Sequence, residues 1–330
     1  MVNLQETINA ILEKQTEEGL FPTYRVKKED KHITESQDNR VDNIGTHTFV
    51  LEKLTRLQPN NERVKTAFQR GLNYLIKNAV VQDGRYVWRW LKNPKKTDWL
   101  YPADADDTAR ARTVIEIAKA NGFHIPEEFQ DFDYSKFIRE GLTPLGGRLT
   151  FVGFKPDDSL CPVVNMNLLH SLRGSLEIGE KWVNQSKECK IIKRYIEKTV
   201  NTDEFASTDF ARCSKFYLSH NLLGYLISEI REIFDKDTLL KVKDRIERAN
   251  GEYGNPLEAS LGTSALINLH GRERIIKYGI EQIRNSVLPN KLWIPAPFYQ
   301  HQRSGNVFGS SAGTSVFCLE ALSKYEESGR

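Results

Sequence analysis

Four stretches of this chain repeat one design: a helical run, a turn with a small or polar residue, then an aromatic. "INAILEKQTEEGLF" (8–21) passes from apolar residues at three- and four-residue spacing through Gln15 and Gly19 to Phe21. "RGLNYLIKNAVVQDGRYVW" (70–88) repeats it with Gln82, Gly84 and Trp88, and "RIERANGEYGNPLEASLGTSAL" (245–266) with Gly251 and Tyr253. "YGIEQIRNSVLPNKLW" (278–293) is a decayed version ending at Trp293. Self-similarity at this scale marks helix pairs that stack on their neighbours, as an open solenoid or a closed ring. The remaining helical runs leave little room for sheet, and with helices averaging about 11–12 residues the chain holds about a dozen. The expectation is an all-α fold: a single (α/α)6 toroid spanning residues 1–330 as one domain.

Composition narrows the class. The net charge is +3, and the charged residues, 28% of the chain, alternate in sign. No basic stripe offers a footprint for nucleic acid. No run approaches the roughly 20 apolar residues of a membrane span, and the acidic, amphipathic start "MVNLQETINAILEKQ" is unlike a signal peptide. The expected compartment is the cytoplasm. Cys161, Cys189, Cys213 and Cys318 are too scattered for a CxxC pair and read as buried free thiols. The spacings HxxxH, HExxH, GxxxxGK[ST] and GxGxxG do not support a catalytic metal or a nucleotide.

"YPADADDTARAR" (101–112) sets Asp104, Asp106 and Asp107 within four positions at the start of a helical run. One reading is capping, with Asp104 at the N-cap and negative charge favoured in the first turn. The other is a shared-proton site, in which crowded carboxylates keep one member protonated. The hexapeptide "DADDTA" (104–109) carries every fixed position of the DxDDTA signature, and the repeats look like degenerate glutamine–tryptophan repeats. Together they make the chain resemble class II terpene cyclases. In size it is most similar to the single-domain cyclases of prenylated hydroxybenzoates. Larger members carry further helical domains, for which 330 residues leave no room. "DFDYS" and "KPDDSL" lack the spacing of the aspartate-rich motif that starts cyclisation by ionisation.

The resemblance implies that Asp106 protonates an alkene or epoxide, with Asp104 and Asp107 crowding it and Thr108 and helix amides supporting the carboxylate left behind. It also implies that Asn165, in "CPVVNMNLLHSL", faces the acid, with Asn167 beside it at the substrate. A carbocation favours aromatic walls. The candidates are Trp88, Trp90, Trp99, Tyr101, Trp293, Phe298, Tyr299 and Phe308, with His47 and His301 as polar contacts. The stretch 293–314, rich in Gly, Ser and Pro, suits a loop over the cavity mouth.

The implied substrate is a small-molecule isoprenoid, a prenylated aromatic acid ahead of a prenyl diphosphate. No cofactor is required for the first. The second would add Mg2+ and cations such as Arg40, Lys92, Lys95, Lys96, Lys155 and Arg303. A greasy substrate is consistent with peripheral membrane contact. Two rivals remain: an α/α-toroid glycoside hydrolase with two separated carboxylates, and a non-enzymatic scaffold whose aspartates only cap.

Overall fold

The computed structural model describes residues 2–28, 33–92, 103–143, 147–148, 160–174, 186–202, 205, 210, 214, 216–249, 251–301 and 305–329. Within them, twelve helices alternate between an outer and an inner ring. The outer helices are α1 (Leu4–Leu12), α3 (Glu62–Lys77), α5 (Tyr134–Arg139), α7 (Lys187–Val200), α9 (Lys236–Glu247) and α11 (Glu273–Asn285). The inner helices are α2 (Ile44–Leu57), α4 (Ala105–Ala120), α6 (Pro162–Gly174), α8 (His220–Glu229), α10 (Pro256–Asn268) and α12 (Ser311–Glu327). The inner ring closes, each helix packing on the next and α12 packing back on α2. The fold is the all-α toroid that the repeat implied.

Residue choice separates the rings. Outer α11 buries one stripe, Ile275, Ile276, Gly279, Ile280 and Ile283, at three- and four-residue spacing. Inner α12 is buried without interruption from Ser311 to Leu322, and inner α10 from Ala259 to Ile267. Both are rich in Gly, Ala, Ser and Thr, which let one helix pack on an outer partner and two inner neighbours at once. The inner helices run parallel, so their N-termini gather at one end of the barrel. Asn43, Asp104, Ser219, Asn255 and Ser310 cap five of them, each side chain accepting a first-turn amide.

The repeat has a physical cause. The amide of Phe21 donates to His47 Nδ1, that of Trp88 to Thr108 Oγ1 and that of Trp293 to Ser315 Oγ, each at 3.1 Å. In each case the aromatic is tied to the inner helix that follows it. The two indoles also reach back to the preceding outer helix. Trp88 Nε1 donates to the Leu75 carbonyl at 2.9 Å, and Trp293 Nε1 to that of Ile283 at 2.7 Å. Gln15 bridges the carbonyls of Gly19 and Ala67, both at 2.8 Å. Gly19 has φ +97°, and a Cβ there would fall 2.3 Å from the Arg70 carbonyl oxygen. Trp88→Ala is expected to cost about 3–5 kcal/mol, from the lost burial and the cavity left behind. Urea denaturation would measure it, with Trp88→Phe costing less.

Sheet is sparse, as the helical spacing implied, and among the described residues it is confined to eight strands of two to five residues. A five-stranded antiparallel sheet runs in the order β5-β2-β1-β8-β7. Its strands are β1 (Thr23–Lys27), β2 (Arg40–Asn43), β5 (Leu91–Lys92), β7 (Tyr299–His301) and β8 (Asn306–Gly309). A second sheet orders β3 (Val80–Gln82), β4 (Arg85–Arg89) and β6 (Ala103–Asp104) as β3-β4-β6. Strands of two to five residues carry no readable alternation. The stretch 293–314 therefore holds a hairpin, with Tyr299 opposite Phe308, where the sequence reads as a loop.

Among the described residues no helix is long and apolar enough to cross a membrane. Cys161, Cys189 and Cys318 are buried and unpaired, and Cys213 lies outside the described residues.

Candidate active site

The hexapeptide 104–109 opens α4, and its residues divide the work. Asp104 is the N-cap, its Oδ1 accepting the Asp107 amide at 2.7 Å. Its backbone pairs with Trp88 through β6 and β4. Thr108 Oγ1 accepts the Trp88 amide, which ties this side chain to β4. Asp106 alone of the three aspartates keeps partial exposure, and it faces a cleft. Capping thus falls to Asp104, and Asp106 is the aspartate of this turn left partly open to the cleft.

Both oxygens of Asp106 accept hydrogen bonds. Asn167 Nδ2 donates to Oδ1 at 2.6 Å, and the Tyr217 hydroxyl donates to Oδ2. Burial raises the pKa of Asp106, while those two bonds and the Arg110 charge lower it. The result is a carboxyl that holds its proton above the usual range yet has a prepared home for the anion. Burial, followed by the charge of Asp106, pushes Asp104 up to about 7. Asp107 is raised well above its ordinary value by burial and by the charges of Asp104 and Asp106, and its Oδ2 has no hydrogen-bond partner. Asp104 and Asp107 form one coupled pair. Burial also keeps Tyr217 a neutral donor, its pKa raised well above 10.

The cleft is narrow, with room for little more than a water molecule beside the aspartates. Trp90, Phe216, Tyr299 and Val164 face the three aspartates across it. Trp90 sits 5.1 Å from Phe308 and 6.2 Å from Tyr299, ring centre to ring centre. Tyr299 packs 5.0 Å from Tyr217 and 4.9 Å from Phe298. Gly45 makes this possible, because a Cβ there would lie 2.3 Å from the Tyr299 hydroxyl oxygen.

Asn167, and not Asn165, is the asparagine that contacts the acid. Asn165 turns away from the acid and clamps the backbone: Oδ1 accepts the Arg148 amide at 2.7 Å, while Nδ2 donates to the Arg148 and Cys161 carbonyls at 3.0 and 2.9 Å. Asn167 is the one on Asp106. Asn165→Ala is therefore expected to cost about 3 kcal/mol from three lost buried hydrogen bonds. Asn167→Ala gives up its bond to Asp106 and should cost less, about 1–2 kcal/mol, while lowering turnover. Paired melts and assays of the two variants check this.

Other predicted residues also find their places. His47 spends both ring nitrogens on the backbone, Nδ1 accepting from Phe21 and Nε2 facing the Gly71 carbonyl at 3.1 Å. Burial depresses its pKa to about 4, so it is neutral and structural. Trp88 and Trp293 are fully buried turn anchors away from the cleft. Phe298, Tyr299 and Phe308 gather near the acid. His301 ends β7, and its side chain is not among the described ones. Trp99 and Tyr101 lie outside the described residues, as do Lys95, Lys96, Lys155 and Arg303. Sequence reasoning missed Tyr217 and Phe216. They precede α8 in a segment without periodicity, and an isolated bridge pairs Tyr217 with Tyr299. Among the described residues no group of three or more His, Cys, Asp or Glu is arranged to hold a metal ion.

A second buried polar assembly lies further along the barrel, among the inner-helix residues beyond their first turns. Glu52 bonds Arg110 at 2.5 Å and pairs with Arg56 at 2.9 Å. Lys53 meets Glu320 at 3.0 Å and the Tyr225 hydroxyl, and Lys324 meets Glu229 at 2.6 Å. Asn268 adds a bond to Glu229 at 2.7 Å. Arg110 stacks 3.6 Å over the Phe49 ring, linking this network to the helix that carries Asp106.

No family model and no curated protein matches the chain by sequence. Solved structures do. A type II terpene cyclase, MstE from Scytonema, matches with TM-score 0.66 and 14% identity over 98% of both chains. A D-mannose isomerase matches with TM-score 0.65 and 14% identity over 98% of this chain and 97% of that one. A GH76 α-mannanase from Bacteroides thetaiotaomicron matches with TM-score 0.60 and 10% identity over 98% and 95%. At such identities these likenesses show the fold. They establish an α/α toroid shared by cyclase, isomerase and hydrolase, and the chemistry rests on the site.

Proposed function

We propose that this protein is a class II cyclase, in which Asp106 protonates the terminal alkene of a polyprenyl chain and so triggers ring closure. One observation carries the reading: Asp106 faces an aromatic cleft from the first turn of an inner helix, with a hydrogen-bond donor on each of its oxygens. An alkene is a very weak base, so the acid must be neutral before transfer and well stabilised after it. Burial supplies the first condition. Asn167, Tyr217, Arg110 and the α4 N-terminus supply the second.

The steps balance. The alkene π pair forms the new C–H bond, and Asp106 is left as carboxylate. The tertiary cation is then attacked by the next alkene, closing a ring, and the last cation loses a proton to a base. The product is an isomer of the substrate, so no redox cofactor is consumed. Trp90, Phe216 and Tyr299 present ring faces that stabilise positive charge without trapping it.

The proposed substrate is a prenylated aromatic acid, because a single toroid of this length resembles cyclases of that class. The alternative is geranylgeranyl or farnesyl diphosphate, with Mg2+ on the diphosphate. The test is incubation with a geranylgeranylated dihydroxybenzoate, with both diphosphates and with mannan oligosaccharides. A cyclic product of unchanged mass from a prenyl substrate is expected, and its head group names the class. Cleavage of the oligosaccharides with every prenyl chain left linear would replace the cyclase with a hydrolase.

A further inference from the structure

A second cavity lies in the same end of the barrel, between α2, α10 and α12. It is small, with room for about one water molecule, almost wholly apolar, and walled by Phe49, Leu257, Phe298, Gly313 and Phe317. Phe298 stands between it and the acid cleft. Its ring packs 5.1 Å from Phe49 and 5.6 Å from Phe317 on the cavity side. On the other side it packs 4.9 Å from Tyr299 and 6.0 Å from Tyr217, the residues that line the cleft and hold Asp106. Phe298 and Tyr299 are consecutive, at the start of β7, and β8 across from them begins the turn into α12. The partition is therefore part of a braced hairpin.

We propose that Phe298 sets the length of hydrocarbon this site accepts, and that the space its ring fills, together with the small apolar cavity behind it, takes the distal end of a longer chain once the ring is removed. The inference rests on the cyclase reading, since it assumes a hydrocarbon seated against Asp106. Neither space alone is large. Joined, they form one channel from Asp106 through the former ring position to Leu257 and Phe317. The walls beyond the partition are aromatic and aliphatic, so the extension suits isoprenoid carbon and not a charged head group.

Alkyltrimethylammonium ions test this without a known substrate. The fixed positive charge imitates the tertiary cation beside Asp106, and the tail length is varied from octyl to octadecyl. Binding is followed by calorimetry on wild type, Phe298→Ala and Phe298→Leu, with melts confirming that each is folded. In wild type, affinity should climb by about fourfold per methylene and then level off. In Phe298→Ala the levelling should come several methylenes later, with the longest tails bound at least tenfold tighter than by wild type. Phe298→Leu should fall between. Adding Leu257→Phe to Phe298→Ala puts bulk back beside the former ring position and should return the limit toward that of wild type.

An unchanged limit in either folded single variant overturns the proposal. So does a longer limit that survives Leu257→Phe, because the tails then lie elsewhere. Failure of wild type itself to bind any tail removes the cyclase reading on which the proposal stands. The wild-type titration alone makes that outcome distinguishable.

Discussion

Asp106→Asn is expected to lower the rate of cyclisation by about 10²–10⁴-fold while leaving the fold intact. Asparagine keeps an oxygen for Asn167 and offers its amide to Tyr217, so the contacts of the turn survive. It also removes a carboxyl that burial disfavours in its charged form, and the melting temperature should hold or rise. Product formation by mass spectrometry alongside a thermal melt separates the two effects. Equal activity in both proteins would return Asp106 to a helix-start residue. The pH dependence has a definite sign. Activity needs the protonated acid, so it should fall as pH rises. Asp104, raised from its unfolded value to about 7, keeps its proton in the folded state after the unfolded chain has lost it. Its contribution to stability is present at acid pH, and it disappears as pH rises through about 7. Asp104→Asn should flatten that part of the stability curve.

The architecture was legible because two of the repeats end on an indole with a chemical task. Trp88 and Trp293 need an indole to reach back to Leu75 and Ile283, and the turn before Trp293 keeps a positive φ, +67° at Lys291, where the earlier turns have Gly19 and Gly84. Asp106 stands out as a candidate because three carboxylates in one helical turn are costly unless they cap, pair or share a proton. What failed to show depends on direction and on distant pairing. Asn165 and Asn167 both lie in a helical stretch buried at every position from 162 to 172, so polarity does not reveal which one faces Asp106. Two positions along a helix differ by about 200°, which places one on the acid and the other on the Arg148 backbone. Tyr217 reaches Asp106 across 111 positions of sequence. The strands are too short to alternate, yet they carry Tyr299 and Phe308 to the cleft.

Glu52→Gln should produce the largest loss of stability among single polar changes, about 3–5 kcal/mol, because it leaves buried cations without their counter-charge. Glu52 is fully buried and sits against Arg110, Arg56 and Lys53. Burial alone would raise its pKa, but those three charges outweigh it and hold the carboxyl well below the usual range. The linkage sign is opposite to that of Asp104. A depressed carboxylate contributes stability above its unfolded pKa of about 4.5, and the contribution is lost as pH falls toward the folded value. Wild type should therefore be most stable in mildly acid solution, between the two limbs, and Glu52→Gln should weaken the acid limb specifically. Urea denaturation from pH 3 to 8 reads both. The same variant reports on catalysis, because Arg110 lies one turn below Asp106 and its charge already lowers that acid's pKa. With Glu52 neutralised, Arg110 acts on Asp106 undiminished, and the basic limb of activity should move to lower pH. A stability loss with an unmoved activity profile would confine the network to holding the barrel together. A shifted profile would make Glu52 a positioning residue that sets, through Arg110, how tightly Asp106 keeps the proton it must give away.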